Sequence, residues 1–560
     1  MQQQMDHYVR EDGTIKMYRK DDYNIDFVNN GKVLLLLYQV TGKEKYFKAA
    51  SVLRNQLKTH PRTTDGGFWH KKIYPHQMWL DGLYMGQPFY AEYAKLFGET
   101  EAFDDITNQF VLMEKHSRDL HTGLLYHGWD ESHEQAWAND TTGRSPNFWG
   151  RSLGWYGMAL VDALPYFPEG HPGIDSLTGI LQRLAKAVVD FQDKKSGVWY
   201  DVVDMGYRPE NYLEASASCM LVYTLAKGVR LGYLPKAYLR AAKKGYRGIL
   251  NEFVTPRDGG GVNLEGTVMV SGLGGSSNYR DGSFDYYMSE PVIQNDPKGI
   301  GAFIKCATEM EMLPTLNDGK GKTVVLDNYY NNEYRADATG RQVRYHYTWE
   351  DQSNGGYSFL GYIFGQHGAK KVSLPTKPDP EALRHAGVYI IVDPDTDKET
   401  AQPRVLETPE IDAIADWVKK GGVLVLLGND RGNMEFTHFN RLATRFGIQF
   451  NEDNELLVKQ NDFRQGAVLL EARNKVFKRP YRLFLKEVST LTVTDPAKTL
   501  VRQHGLNLMA TVKYGKGAVF ALGDPWIYNE YIDGRKLTPD FDNYPAAQAW
   551  VRWLLRTAKR

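Results

Sequence analysis

Cysteine is scarce in this chain, and the two residues present do not form a framework. Cys219 and Cys306 are the only cysteines among 560 residues, and they lie far apart in sequence. They form none of the Cys and His spacings that hold zinc, and their surroundings are apolar or mixed helical segments. We therefore expect two buried free thiols, and neither a metal nor an organic cofactor.

Net charge and long apolar runs are also missing. Lys plus Arg and Asp plus Glu both total 68, so the formal net charge is zero. This balance gives no reason to expect a nucleic acid or an anionic membrane as partner. No apolar run is long enough to span a bilayer.

The beginning of the chain, MQQQMDHYVRED, lacks the pattern of a secretory signal peptide. We expect a periplasmic or otherwise extracytoplasmic protein if a signal has been removed, and a cytoplasmic one otherwise. The sequence does not indicate an oligomeric state.

Aromatic residues are abundant, at 13% of the chain with 35 Tyr and 12 Trp. Aromatic rings offer flat apolar faces, which suit the faces of sugar rings. Large aromatic cores would give the same composition. Composition alone therefore leaves carbohydrate binding and core packing open.

The first half of the chain has the pattern of successive helices. Apolar residues at three-four spacing predict helices, with long loops rich in Gly, Trp, Tyr and His between them. The predicted helices are Asn30–Tyr38, Tyr46–Thr59, Met78–Phe97, Glu101–His116, Phe148–Tyr166, Ile174–Gln192, Glu214–Leu231, Lys236–Phe253 and Pro291–Met312. Helix pairs joined alternately by short turns and long loops fit an all-α toroid, whose long loops form the site at one end.

The composition changes near residue 313. Asn317–Lys322 is rich in Gly and Lys and reads as a linker, which predicts domains at 1–317 and 318–560. Unbroken apolar runs such as Val388–Val392 and Gly422–Leu427 follow, interleaved with helical patterns such as Thr408–Lys420. Strands buried on both faces and alternating with helices indicate an α/β domain with a mainly parallel sheet.

Asp81 is the most informative residue of the helical half. It lies within Gly66–Tyr93 and shares a helical face with Met78, Tyr84 and Met85. Burial on such a face raises the pKa of a carboxyl group, as a proton donor at neutral pH requires. An acid that only caps or bonds a neighbouring segment would show the same spacing. The two interpretations stay open at this point.

Four segments of this half combine acids, a cation or histidine, and tryptophan. They are Gly66–Tyr93, Gly123–Asp130, Trp137–Trp155 and Gly197–Ser218. Such a mixture suits a sugar that carries a carboxylate, because rings stack on Trp, a cation binds the carboxylate, and an acid moves a proton. An Arg that braces a loop or a His with a structural role would fit the same pattern.

Together these segments resemble glycoside hydrolase family 105, the unsaturated rhamnogalacturonyl and related uronyl hydrolases. The motifs are GGFWHKKIYPHQMWLDGLYM, YHGWDE, WANDTTGRSPNFWGRSLGW and NYLEASAS, and the resemblance covers roughly residues 20–312. The resemblance implies an (α/α)6 barrel. It also implies a hydration mechanism: an Asp protonates C4 of a 4,5-unsaturated uronic acid, water adds at C5, and the hemiketal opens to release the aglycone sugar.

The resemblance assigns one acid clearly and leaves the second open. One family Asp matches Asp81, while the position of the usual proton donor holds Asn139, followed by Asp140. An amide cannot donate the proton as an acid. Three explanations stay open. Asp140 donates the proton instead, or Asp81 is the principal donor and Asn139 only positions water or sugar. In the third, the protein is weakly active or retains only binding.

The second half resembles the glutamine-amidotransferase-like, flavodoxin-like domains fused to such hydrolases. The basis is LDNYYNNE, GVYIIVDPDT, GGVLVLLGND and GDPWIYNEYID. No cysteine lies beyond residue 306, so amidotransferase chemistry is not expected. We expect a structural or sugar-binding module.

The sequence therefore predicts a two-domain hydrolase that removes the unsaturated uronic acid from lyase-generated oligosaccharides of pectin, rhamnogalacturonan or a related polysaccharide. A non-catalytic oligosaccharide-binding protein and a sugar epimerase are the alternatives. The predicted catalytic residues are Asp81, Asp140 and Asn139. The predicted substrate contacts are Trp69, His70, His127, Trp137, Trp149, Arg151, Trp155, Trp199, Arg208 and Asn211.

Overall fold

The computed structural model describes residues 1–275, 278–470 and 474–559. The chain divides into two compact units. Unit 1 comprises Met1–Tyr38 and Lys43–Leu313, and unit 2 comprises Pro314–Arg560 with the short segment Gln39–Gly42.

Unit 1 is built from helices, with short strands in the loops between them. The helices are α1 (Gln2–Tyr8), α2 (Gly31–Thr41), α3 (Glu44–Lys58), α4 (Leu80–Phe97), α5 (Ala102–Ser117), α6 (Gly150–Ala163), α7 (Gly173–Asp190), α8 (Ala215–Arg230), α9 (Tyr238–Glu252), α10 (Phe284–Ser289) and α11 (Pro297–Met312). The strands are β1 (Gln77–Trp79), β2 (Gly128–Asp130), β3 (Val254–Pro256), β4 (Val262–Leu264), β5 (Thr267–Val268) and β6 (Val292–Ile293).

The long helices of unit 1 share one apolar core. Helices α4, α6, α8 and α11 pack side by side in that order, and α5, α7 and α9 lie against them. Helix α6 is buried almost all round, from Gly150 to Val161, which explains its lack of charged residues beyond Arg151 and Asp162. The predicted helical half is confirmed, whereas closure of the helices into an (α/α)6 ring stays a prediction.

Two predicted helix boundaries are wrong for local reasons. Helix α11 begins at Pro297 rather than at residue 291, because the Asp296 side chain caps it by accepting the Lys298 N–H at 2.8 Å. The preceding Val292–Ile293 pairs with β5 instead. Met78, predicted as helical, lies in β1, so α4 starts at Leu80.

Unit 2 is an α/β unit. Its strands are β7 (Thr323–Asp327), β8 (Tyr334–Ala336), β9 (Gln342–Arg344), β10 (Lys370–Leu374), β11 (Ala386–Val392), β12 (Val423–Leu427), β13 (Ile448–Phe450), β14 (Ala467–Leu470), β15 (Tyr481–Phe484), β16 (Leu491–Val493), β17 (Lys498–Gln503), β18 (Leu506–Tyr514) and β19 (Gly517–Leu522). Its helices are α12 (Ser358–Gln366), α13 (Thr408–Lys419), α14 (Phe436–Thr444), α15 (Asn529–Ile532) and α16 (Asn543–Thr557).

Seven strands form the main sheet in the order β10-β7-β11-β12-β19-β18-β17. The first five are mutually parallel, while β18 and β17 add an antiparallel edge. Strands β11, β12 and β19 are buried along their whole length, with an apolar cluster on each side of the sheet. The predicted mainly parallel sheet is confirmed.

The expectation of free thiols is confirmed as well: Cys219 and Cys306 are unpaired and buried. Over the residues that the structure describes, the search for a helix long and apolar enough to cross a membrane returns none.

Candidate active site

A two-stranded ladder brings Asp81 and His127 together, although 46 residues separate them. Strand β1 pairs antiparallel with β2, so that Trp79 lies opposite Gly128. The Leu80 N–H donates to the His127 carbonyl at 3.0 Å, which continues the ladder. Asp81 therefore begins α4 directly beside His127, and its Oδ2 lies 3.1 Å from His127 Nε2.

The far side of His127 is held by a tyrosine that the sequence analysis did not single out. His127 Nδ1 lies 2.8 Å from the Tyr287 hydroxyl, on α10. The Trp149 ring packs against the imidazole with 4.7 Å between ring centroids. His127 is fully buried, whereas the Asp81 side chain keeps 14% of its exposure. Asp81 is thus the member of this trio that a substrate can reach, and His127 acts on Asp81 rather than on an open surface.

The electrostatics of Asp81 differ from the sequence expectation of a raised pKa. Burial alone would raise the pKa of Asp81, but the hydrogen bond and charge of His127, with a smaller contribution from His70, lower it below its ordinary value. Placement in the first turn of α4 also favours a carboxylate. The expectation of a raised pKa for Asp81 is therefore wrong, and Asp81 forms a hydrogen-bonded pair with His127.

Arg151 is not free to bind a substrate carboxylate, which corrects the prediction. It is 1% exposed. Its Nε donates to Ser216 Oγ at 2.7 Å, its Nη2 lies 3.5 Å from Glu214 Oε1, and it also donates to the Val268 carbonyl. Glu214 in turn caps α8 by accepting the Ala217 N–H at 2.6 Å. Arg151 and Glu214 form a buried ion pair between the first turns of α6 and α8.

Two further predicted substrate contacts belong to the core. Trp199 is fully buried and its indole N–H donates to the Val188 carbonyl at 2.6 Å. The Asn211 side chain donates to the Val202 carbonyl at 2.8 Å and accepts the Val202 N–H at 3.3 Å. Neither side chain is available to a ligand here. Sequence spacing cannot distinguish such internal bonds from bonds to a sugar.

Trp155 of α6 packs against α4, further along that helix than Asp81. It stacks on Tyr84 of α4 with 4.5 Å between ring centroids. Because Tyr84 follows Asp81 by three residues on the same helix, this pair lies one turn further along α4.

A stack of rings lies directly beside Asp81. The His70 ring is parallel to Trp79 at 4.3 Å, and Tyr74 covers Trp79 at 5.0 Å. His70 is buried, and burial lowers its pKa to about 4, so it is neutral at pH 7. Trp137 is buried in the same apolar cluster as Trp79, whereas Trp69 is half-buried.

Asn139 and Asp140 lie on an exposed turn. Asn139 Oδ1 accepts the backbone N–H groups of Thr141 and Thr142 at 3.0 and 2.9 Å. The turn closes at Gly143, where φ is +68° and a Cβ would lie 2.2 Å from the Asp130 carbonyl. The WAN and TTG motifs therefore form this turn. Over the described residues, neither Asn139 nor Asp140 has a side-chain hydrogen bond to Asp81.

Arg208 is the predicted cation that keeps substantial exposure, at 36% of its side chain. Its guanidinium lies over the Phe284 ring at 3.8 Å. Phe284 and Tyr287 lie three residues apart on α10, so Arg208 is close to the trio. Its ion pairs with Glu210 and Asp285 are long, at 3.5 and 3.8 Å.

The sequence analysis missed Tyr287 and Asp201, which lies behind Trp149. Trp149 Nε1 donates to Asp201 Oδ1 at 3.0 Å. Tyr287 follows His127 by 160 residues, and no motif spacing signals their contact. Among the described residues, no group of three or more His, Cys, Asp or Glu side chains is arranged to hold a metal ion.

Two family models match this chain, one in each half. The model of Glycosyl Hydrolase Family 88 matches residues 1–314. Residues 350–533 match a domain of unknown function, DUF4350. The predicted kinship of unit 2 with glutamine amidotransferases therefore stays a prediction.

Two relatives each match part of this chain. Protein Atu3128 of Agrobacterium fabrum is 39% identical over 238 residues, which is 41% of this chain and 99% of that protein. Unsaturated rhamnogalacturonyl hydrolase YesR of Bacillus subtilis is 31% identical over 214 residues, 37% of this chain and 59% of that protein.

A solved glycoside hydrolase of family 105 from C. acetobutylicum ATCC 824 is 52% identical, covers 55% of this chain and 86% of its own, and gives a TM-score of 0.54. Because the family model matches more than half of this chain, the chain belongs to Glycosyl Hydrolase Family 88 and is a glycoside hydrolase.

Proposed function

We propose that this glycoside hydrolase removes a 4,5-unsaturated uronic acid from the non-reducing end of oligosaccharides produced by a polysaccharide lyase. The family match and the similarity to YesR, named as an unsaturated rhamnogalacturonyl hydrolase, support this substrate class. The parent polysaccharide we propose is pectin, rhamnogalacturonan or a related uronate polymer.

The observation that carries the proposal is the Asp81–His127–Tyr287 chain. Hydration of an enol ether needs one group that gives a proton to C4 and takes one from the water that adds at C5. A carboxyl group hydrogen-bonded to a buried imidazole meets both needs, because the pair holds or releases one proton as a unit. Asp81 is the exposed end of that chain, and Tyr287 orients the imidazole from behind.

The proposed reaction proceeds in three steps. The pair starts with one proton shared across the hydrogen bond between Asp81 Oδ2 and His127 Nε2; because the pKa of Asp81 is lowered, this proton lies towards the imidazole and reaches C4 through Asp81, while positive charge develops at C5 and the ring oxygen. Water adds at C5 and returns a proton to Asp81, so the pair ends as it began. The hemiketal at C5 then opens, and the aglycone sugar leaves.

Arg208 and the rings near Asp81 supply the binding groups in this proposal. An unsaturated uronate carries a carboxylate, and Arg208 is the partly exposed guanidinium close to Tyr287. The half-buried ring of Tyr74, stacked on Trp79, and the half-buried ring of Trp69, next to His70 in sequence, offer stacking faces. We propose that Arg208 binds the carboxylate and that these rings bind the sugar.

The test is the ultraviolet absorbance of the conjugated double bond in lyase-generated oligosaccharides. We expect the wild-type protein to remove this absorbance and to release a shortened sugar. We expect Asp81→Asn to lower kcat by about 10²–10⁴-fold, the usual worth of a general acid–base group. Tyr287→Phe removes one hydrogen bond of about 1 kcal/mol and should lower kcat by roughly fivefold.

Asp140→Asn is the matched comparison, because Asp140 is the exposed acid at the alternative donor position. A near-normal rate in Asp140→Asn with a large loss in Asp81→Asn supports the pair. The reverse pattern would transfer the donor role to Asp140. Binding of these oligosaccharides without loss of absorbance would instead favour a binding protein.

A further inference from the structure

One buried acid next to the site has no role in the reaction proposed above. Asp201 lies between α7 and α8 and is fully buried. Its backbone is fixed on both sides: its carbonyl accepts the Gly150 N–H at 2.7 Å, and its own N–H donates to the Tyr212 carbonyl at 2.9 Å. The Asp201 carboxyl group is therefore held rigidly against the first turn of α6.

The two oxygens of this carboxyl group have different surroundings. Oδ1 accepts the Trp149 indole N–H at 3.0 Å. Oδ2 lies beside the Tyr212 hydroxyl, and neither atom has a hydrogen bond of good geometry within the described residues. A buried carboxylate oxygen without a donor is costly, whereas a protonated oxygen can itself donate.

Asp201 reaches Asp81 through two rings. Trp149, held by Asp201, packs against the His127 ring at 4.7 Å and lies within 21° of parallel to the Tyr287 ring. His127 then contacts Asp81. Every link in this path is buried except Asp81, so the position of the Trp149 indole limits the position of the imidazole.

The charged groups around Asp201 do not neutralise a negative charge. Glu214 faces it from the start of α8, and Arg151 of α6, whose charge lowers the pKa of Asp201 in part, is already paired with Glu214. Tyr212 and Tyr287 are the other titratable neighbours. Burial, and then the charge of Glu214, raise the pKa of Asp201 to about 8. The group is thus neutral at pH 7 and ionises in mildly alkaline solution.

We propose that Asp201 is a positioning residue for the Asp81–His127 pair, which its neutral carboxyl group keeps in place by anchoring the Trp149 indole. The inference rests on the proposed function. Ionisation of Asp201 places an unpaired charge behind the imidazole, because neither Arg151 nor any other described cation pairs with it. The Trp149 N–H bonds the charged oxygen at least as well, but burial and repulsion by Glu214 drive the carboxylate out of its place, which moves the indole, so turnover falls on the alkaline side.

The first experiment compares Asp201→Ala, which removes the anchor, with Asp201→Asn, which keeps the shape and an acceptor but cannot ionise. We expect Asp201→Ala to lower kcat at least tenfold with KM changed less than threefold. We expect Asp201→Asn to restore kcat at pH 7 to within threefold of wild type, and to move the alkaline fall in kcat to higher pH by at least one unit. Asp204→Asn, an acid of the same segment without a bond to Trp149, is the control and should leave that fall unchanged.

A double-mutant cycle tests the path itself. In a Trp149→Phe background the indole donor is gone, so Asp201→Ala should have little further effect on kcat. Additive losses would overturn the role of Trp149. An unmoved alkaline fall in Asp201→Asn, or a tenfold loss in that variant at pH 7, would overturn the positioning role.

A measurement without substrate separates this inference from the proposed function. In protein labelled with [15N]histidine, the His127 signal, assigned with His127→Gln, should shift as pH passes through about 8 in wild type and lose that step in Asp201→Asn. If the wild-type protein does not hydrate the unsaturated uronate but the His127 signal still shifts near pH 8, the proposed function fails and the coupling of Asp201 to His127 stands. If turnover is normal and the step is absent, the coupling fails alone.

Discussion

The buried Arg151–Glu214 pair gives the sharpest prediction about the helical unit. The perturbation is Glu214→Ala. The Glu214 carboxylate accepts the N–H groups of Ala217 at 2.6 Å and Val268 at 3.0 Å, receives the Ser216 hydroxyl, and faces Arg151 at 3.5 Å. All of these groups are buried, so nothing from solvent replaces the carboxylate when it is removed.

The magnitude follows from what remains behind. Arg151 cannot lose its proton, and an unpartnered buried charge costs about 3–5 kcal/mol. Loss of the α8 cap alone would cost about 1 kcal/mol. Because both effects come from the same carboxylate, they do not add fully, and we expect a loss of about 3–5 kcal/mol in the free energy of unfolding.

The assay is urea unfolding of the full chain, followed by far-ultraviolet circular dichroism, with Glu214→Gln as the control. The amide keeps shape and acceptor capacity but leaves Arg151 without its counter-charge. Because the retained acceptor still binds the N–H groups of α8 and β5, we expect Glu214→Gln to be destabilised less than Glu214→Ala.

Arg151→Met tests the role of the arginine directly. We expect it to lower stability and to leave KM of the folded protein unchanged. A loss below about 1 kcal/mol in Glu214→Ala, or a KM effect without a stability effect in Arg151→Met, would refute the reasoning and return Arg151 to the substrate.

Two further predictions concern acids elsewhere in unit 1. Asp162 lies 2.5 Å from Lys227 Nζ and 2.8 Å from Lys305 Nζ; burial would raise its pKa, but these cations lower it far below its ordinary value. Asp162 therefore stabilises the fold above the unfolded pKa of about 3.9, and this contribution is lost as pH falls towards the lower folded pKa. Asp162→Asn should cost about 3 kcal/mol at pH 7, and the melting temperatures of the two proteins should begin to converge as pH falls below about 4; a difference that stays constant with falling pH would contradict this assignment. For Asn139→Asp, the two backbone N–H groups that bind the side chain would hold the new carboxyl group ionised, so we expect kcat within about twofold of wild type. A tenfold gain would place the donor at residue 139.

The sequence was sufficient for the architecture of each half. Three-four periodicity located the long helices, and unbroken apolar runs located β11 and β12 as strands covered on both faces. These patterns are local consequences of burial, so they are visible without the fold. The antiparallel edge, β17 and β18, was missed because its strands are only partly buried and lack such runs.

The candidate site divides along the same line. Asp81 and His127 stand out in sequence because an acid and a histidine in aromatic segments are unusual. Their contact depends on the β1–β2 ladder, and the Tyr287 bond spans 160 residues. The sequence predicted Trp199, Asn211 and Arg151 as substrate contacts. A polar side chain with an internal partner and one that binds a sugar have the same local sequence.

The sequence by itself therefore determined the helical and α/β halves, the family motifs and the identity of Asp81 as a candidate. Only the tertiary structure decided which polar groups are consumed inside the protein, that Asp81 shares its proton chemistry with His127, and that Asp201 lies behind Trp149. The physical reason is that periodicity reports burial, which is a property of neighbouring residues. Hydrogen-bond partners and pKa shifts depend on groups that the chain brings together from far apart.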